Sequence, residues 1–220
     1  MNVDAPVRRT VPLHVRSIRV EAVEDGDHTL LVSGTLVDER PRGGDEWFGV
    51  AGPRVIHQMQ LGLRVRHPDL VITDVQGGME AHPYRVCPDA LPALQQLVGV
   101  SVARGFTRAV NERLGRQRGC AHLTALIHAM APVVKQAAGP SADPSREDHD
   151  RPWVIDTCQA WRENGPLHQL VRAGDRAGLV EISAYRSRPD GSRAPATGGV
   201  ASRASDDGGS WRDPAALPQP

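Results

Sequence analysis

Cysteine, lysine and aromatic side chains are all scarce in this 220-residue chain. The three cysteines (Cys87, Cys120, Cys158) are odd in number and form no CxxC pair. That argues against a disulfide framework and a zinc finger, and for a reducing cytoplasm. Aromatics make up 4% against 40% hydrophobic residues overall, so the core has to be aliphatic. No apolar run approaches the ~20 residues of a membrane helix. The arginines of MNVDAPVRRTVPL are not followed by the apolar stretch of a secretory signal. The expectation is a cytoplasmic chain with no membrane partner.

An excess of one charge is missing too. The 26 basic residues balance 26 acidic ones. Lys135 is the single lysine, so the basic set is almost all arginine. With abundant Ala, Gly and Pro, this matches a GC-rich coding bias better than a phosphate-binding surface. Neutrality removes the strong non-specific attraction of a nucleic-acid binder, so no nucleic-acid partner is expected. GxxxxGK[ST], GxGxxG after a strand and GxSxG are all absent. Nucleotide hydrolysis, dinucleotide redox chemistry and α/β-hydrolase chemistry lose support accordingly.

What is present divides into halves. The first half has the period-2 patterning of strands: His14–Val23, His28–Asp38, Val55–Val65 and Asp69–Val75, with a fifth extended piece through Tyr84–Val86. Val55, His57, Met59, Leu61, Leu63 and Val65 share one parity. The second half reads as helices: Asp89–Val98, Gly105–Leu114, Cys120–Ala138, Asp156–Arg162 and Leu167–Arg172. The third is the strongest, with Leu123, Leu126, Ile127, Met130 and Val134 as its stripe and Pro132 as a kink or an end. Strands first and helices later predict an α+β fold, an antiparallel β-meander with helices packed on one face. One domain over residues 1–185 is expected, with 139–152 a flexible loop. Residues 186–220, rich in Ser, Gly, Pro and Ala, should form a disordered tail.

His57 is the residue to single out, because it stands on the apolar parity of its strand. A buried imidazole needs partners for both nitrogens, or a metal on one; the ordinary outcome is a satisfied core histidine. Asp38 and Asp74 lie on the apolar parities of their own strands, each near a C-terminal end. An up–down–up meander would bring Asp38, His57 and Asp74 to one edge of one face. A buried carboxylate without a partner costs several kcal/mol, so three such groups together suggest a polar pocket. The strongest helix opens with Gly119-Cys120-Ala121-His122. His122 can reach the sheet edge, and the Cys120 thiol stands at the positive end of the helix dipole. His57, His122 and Asp74 would form a two-histidine, one-carboxylate site for Zn or Fe, with positions open for substrate. Asp38 would be general base or outer partner, and Cys120 an extra ligand or polar wall. Cys87 and Cys158 read as small apolar residues, and His67, His128, His149 and His168 as surface or loop positions.

The stretches SGTLVDE, IHQMQLGLRV, DLVITDVQ, HPYRVCPDALPALQQLVG, ARGFTRAVNERLG, RGCAHLTALI and DTCQAWRENGP occur in that order, from about Ser17 to Leu170. Together they resemble a bacterial family of proteins of unknown function, domain of unknown function family 2889. The resemblance brings no settled activity. It implies that His57, Asp74, Cys87, Cys120, His122 and Cys158 fall in recurring motifs. Gly77-Gly78-Met79 departs from an expected alanine-containing segment, and Trp161 from a usual tyrosine.

The functional expectation is a small metal-dependent enzyme, a lyase or hydrolase acting on a small organic or aromatic compound. Tyr84, Trp47 and Phe48 would serve as pocket walls. The rival is a non-catalytic binding or accessory protein. Its polar edge would be a satisfied hydrogen-bond network, and its GGDEWFG loop (Gly43–Gly49) a partner surface. A homo-oligomer stays open.

Overall fold

The computed structural model describes residues 11–26, 28–44, 49, 51–139 and 154–182. The chain forms two compact units, Met1–Glu147 and Asp148–Pro220. The first unit is built on four strands: β1 (Val15–Glu24), β2 (Thr29–Arg40), β3 (Arg54–Arg66) and β4 (Val71–Ala81). They pair antiparallel in chain order, β1-β2-β3-β4. Two α-helices follow in this unit, α1 (Phe106–Leu114) and α2 (Ala121–Ala138). The fold is α+β, a meander with the helices packed against the sheet, as the division of the sequence predicts.

Alternation places the core. Leu30, Val32 and Leu36 of β2 face inward with Met59, Leu61, Leu63 and Val65 of β3 and Ile72 and Val75 of β4. The helical contribution is Leu123, Leu126, Ile127, Met130, Val134 and Ala138 of α2 with Phe106, Val110 and Leu114 of α1. Among the described residues Phe106 is the one aromatic in this core, which is otherwise aliphatic, as the composition requires. Each fully buried Leu or Ile is worth about 1.5–3 kcal/mol, so this aliphatic core carries most of the unit's stability. α2 runs unbroken through Pro132, whose ring lies on the exposed side. The amide hydrogen bond lost there is outweighed by burial of Met130, Val134 and Ala138 on the opposite face.

Two local expectations fail for identifiable reasons. The segment read as a helix over Asp89–Val98 forms two 3₁₀ turns, Cys87–Ala90 and Pro92–Leu97. Pro88 and Pro92 each open a turn and cannot donate an amide to an α-helical ladder. Leu94 and Leu97 still reach the core, and Gln95 Nε2 donates to the Val75 carbonyl at 2.9 Å. Tyr84–Val86, read as extended, is a bend leading into the first turn. Beyond it, the amides of Ile72, Gly99 and Val102 exchange bonds along the start of β4, which covers that edge of the sheet.

In the second unit the segment read as a helix over Asp156–Arg162 consists of turns. Asp156 has a left-handed φ of 62° and its carboxylate accepts the Glu163 amide at 2.9 Å, closing a loop instead of a helix. α3 (Pro166–Arg172) follows with Pro166 at its first turn, then α4 (Arg176–Ile182), a helix the sequence reading missed. The 139–152 loop past Gly139, the 186–220 tail, His149, Trp47 and Phe48 lie outside the described residues.

One glycine sets the height of α2 over the sheet. A Cβ at Gly34 of β2 would stand 3.0 Å from Leu126 Cδ1 and 3.1 Å from Met130 Sδ. Gly78 of β4 has nothing within 4 Å of its virtual Cβ. Gly34→Val should therefore cost about 1–3 kcal/mol in urea unfolding, since overpacking forces a packed helix aside. Gly78→Val should be near neutral. Equal effects would mean that α2 does not lie this close.

Candidate metal centre

The site grows from one row across three strands. Arg16 of β1 pairs in register with Asp38 of β2, and Asp38 with His57 of β3. A β-bulge follows at once: Asp38 faces His57, but Glu39 faces Val55, leaving Ile56 as the extra residue. The bulge ends the parity that Val55 was expected to share with His57, and Val55 is 40% exposed. Bulges of this kind re-aim a side chain at a sheet's end. The fourth residue comes from the helix layer. His122, Leu126 and Met130 are four residues apart along α2, on one stripe. With Leu126 and Met130 seated on Gly34, His122 comes down over Asp38.

Asp38 is the centre, with a side chain 0% exposed. Its Oδ1 accepts Arg16 Nε at 2.7 Å and faces His14 Nε2 at 3.2 Å. Its Oδ2 accepts Arg16 Nη2 at 2.7 Å and faces His57 Nδ1 at 3.2 Å and His122 Nε2 at 3.3 Å. The two imidazoles stack, centroids 3.6 Å apart and planes at 29°. Cys120, the N-cap residue of α2, is half-buried with its Sγ 3.7 Å from His122 Nδ1.

Electrostatics follow from this crowding. Burial pushes the Asp38 carboxyl up, but hydrogen bonds from Arg16 and His14 and the Arg16 charge outweigh it and hold the group at about 2. Burial lowers His57 below its ordinary 6.5, against the opposing pull of Asp38. Burial also lowers His122, helped by its stacked neighbour His57, while Asp38 again opposes. At neutral pH the centre is one carboxylate and two neutral imidazoles, the forms that ligate metals. Ligand atoms of Asp38, His57 and His122 all lie within 4.8 Å of one another, which is the geometry of a possible metal-binding triad.

Asp74, expected as the carboxylate ligand, stands elsewhere. β4 does not end at Val75 but runs to Ala81, so Asp74 belongs to its beginning. Asp74 pairs with Arg64, seven residues along β3 from His57, roughly 23 Å at ~3.3 Å per residue. A second bulge, with Thr73 as the extra residue, also turns it away from the face of Ile72. Its carboxylate accepts the Val75 amide at 2.8 Å and the Gln76 amide group at 3.4 Å. Cys87 lies in the first 3₁₀ turn, and Cys158 is exposed in the second unit. His67 and His168, read as surface or loop positions, are both buried, His67 in the turn after β3 and His168 in α3.

The sequence reading overlooked His14 and Arg16. Both carry the parity of Ile18, Val20 and Ala22, so the signal was an inward-facing row whose first two members are cationic or titratable. Placed beside Asp38 on the neighbouring strand, they mark the carboxylate's partners.

These shifts set the acid stability of the metal-free protein. His57 and His122 titrate lower folded than unfolded, so below pH 6.5 the unfolded chain binds more protons and stability falls. Asp38, lowered from 3.8 to about 2, adds a further loss across that interval. Urea unfolding should thus show stability declining from about pH 7 to about pH 5, and His57→Gln/His122→Gln should flatten that decline. A wild-type profile already flat there would contradict the burial of the two rings.

The chain matches the family described as protein of unknown function (DUF2889) over residues 14–136, which includes His14, Arg16, Asp38, His57, Cys120 and His122. The match stops short of DTCQAWRENGP and Cys158. No curated protein and no solved structure matches the chain. By that match, which covers more than half its length, the chain belongs to the DUF2889 family.

Proposed function

We propose that Asp38, His57 and His122 hold one divalent cation, Zn or Fe, and that the protein is a metal-dependent lyase or hydrolase acting on a small organic compound. The observation that carries this reading is the oversubscription of Asp38. A carboxylate offers about four lone-pair sites, two on each oxygen. Five side-chain nitrogens approach it, three of them on Oδ2. A cation shared by Oδ2, His57 and His122 would replace the two imidazole contacts on that oxygen with one bond and remove the excess. Two of the three spacings agree with this: ligands at ~2.0–2.1 Å from a tetrahedral ion stand roughly 3.3 Å apart. The two Asp38–histidine separations are 3.2 and 3.3 Å.

Three protein ligands leave a position for water or substrate, and a bound ion there would supply Lewis acidity or an activated water. Arg16 fixes the Asp38 carboxylate through two parallel bonds, so the ligand oxygen is held in one orientation. His57 and His122 are 15% and 25% exposed at the side chain while Asp38 is sealed, so an incoming molecule meets the imidazoles first.

Elemental analysis of untagged protein should find about one Zn, Fe or Mn per chain. His57→Ala and His122→Ala should lose it while remaining folded by circular dichroism. Asp74→Ala should retain it. Wild type that stays metal-free after reconstitution would overturn the reading.

A further inference from the structure

We infer that the ligand of this centre is a small organic anion whose carboxylate bridges the bound ion and the outer edge of Arg16. The inference rests on the metal reading above. It starts from charge. Arg16 and Asp38 cancel each other, and an imidazole that ligates a metal is neutral, so a divalent ion brings two positive charges that these residues leave uncompensated. A buried excess of that size favours an anion in the open position.

Arg16 gives the anion a second anchor. A guanidinium has five N–H donors in a rigid fork. Asp38 takes one from Nε and one from Nη2, and no other Arg16 hydrogen bond is found among the described residues. The remaining three point away from Asp38, and the side chain is 40% exposed. The fork is thus pinned in place by its inner edge and offers its outer edge to whatever enters.

The two anchors are within reach of one carboxylate. Arg16 Nη2 lies 2.7 Å from Asp38 Oδ2, the same oxygen that faces both histidines. An ion ~2.1 Å from that oxygen is at most about 4.8 Å from Nη2. A carboxylate with one oxygen on the ion and the other accepting from Nη2 spans such a gap. A neutral amide of the same shape brings no charge, and its NH₂ end faces a guanidinium that can only donate.

The test uses full-length protein loaded with Co(II), whose visible spectrum reports its coordination, with acetate and acetamide as probes. Metal content is measured on the same samples. Acetate should perturb the spectrum at concentrations at least tenfold lower than acetamide. Arg16→Lys, which keeps the charge but loses the fork, should weaken acetate at least tenfold while cobalt stays bound. If that variant loses cobalt, the Arg16 side-chain ¹⁵N resonances of wild type take its place, and acetate should shift them. Acetamide binding as well as acetate would overturn the inference while leaving the metal reading intact. So would unchanged acetate affinity in Arg16→Lys, or, where that variant loses cobalt, unshifted Arg16 resonances. Wild type that takes up no cobalt would contradict the metal reading and this inference with it.

Discussion

A carboxylate sealed from water has to be compensated, and Asp38 is the group around which this fold arranges its compensation. An unpaired buried charge costs several kcal/mol, enough to consume much of a small domain's net stability. Here the charge closes the inward-facing row of a central strand. β1 must pair with β2 to deliver Arg16, β3 must pair on the other side to deliver His57, and α2 must begin at that end of the sheet to deliver His122. Strand order, the bulge at Ile56 and the placement of α2 all answer to one carboxylate.

The same contacts link packing to chemistry. Gly34 stands four residues before Asp38 on the inward face of β2, and the stripe seated on it begins at His122. The aliphatic core therefore sets the height at which an imidazole meets the carboxylate. Site and core are one construction: displacing α2 would move a candidate ligand. Arg64 and Asp25, an exposed ion pair at the far end of the sheet, have no such consequence.

Periodicity made much of this legible. The parity of Leu30, Val32, Leu36 and Asp38, and of His57 with Met59 and Leu61, was enough to place Asp38 and His57 on one buried face at one end. The helix opening at Cys120 was enough to bring His122 near. Periodicity failed where the ladder breaks step. A one-residue bulge flips every side chain beyond it, and neither the bulge at Ile56 nor the one at Thr73 leaves a mark in the pattern. Reading β4 as ending at Val75, just before Gly77-Gly78, inverted which end of the strand Asp74 occupies. Gly77 is instead a close-packing position, with Leu94 Cδ1 2.4 Å from where its Cβ would be. Arg16 and His14 were missed for another reason. Cations at a strand's start look like solvent-facing residues until their cross-strand partner is known.

The central claim is that Asp38, His57 and His122 share one cation. Crystals grown with zinc and measured on both sides of the zinc absorption edge test it most directly. The account predicts an anomalous peak about 2 Å from Asp38 Oδ2, His57 Nδ1 and His122 Nε2 together, with Arg16 still paired to the carboxylate. A well-occupied zinc elsewhere, with both imidazoles still facing Asp38 as they do here, would contradict it and leave the cluster as a structural network.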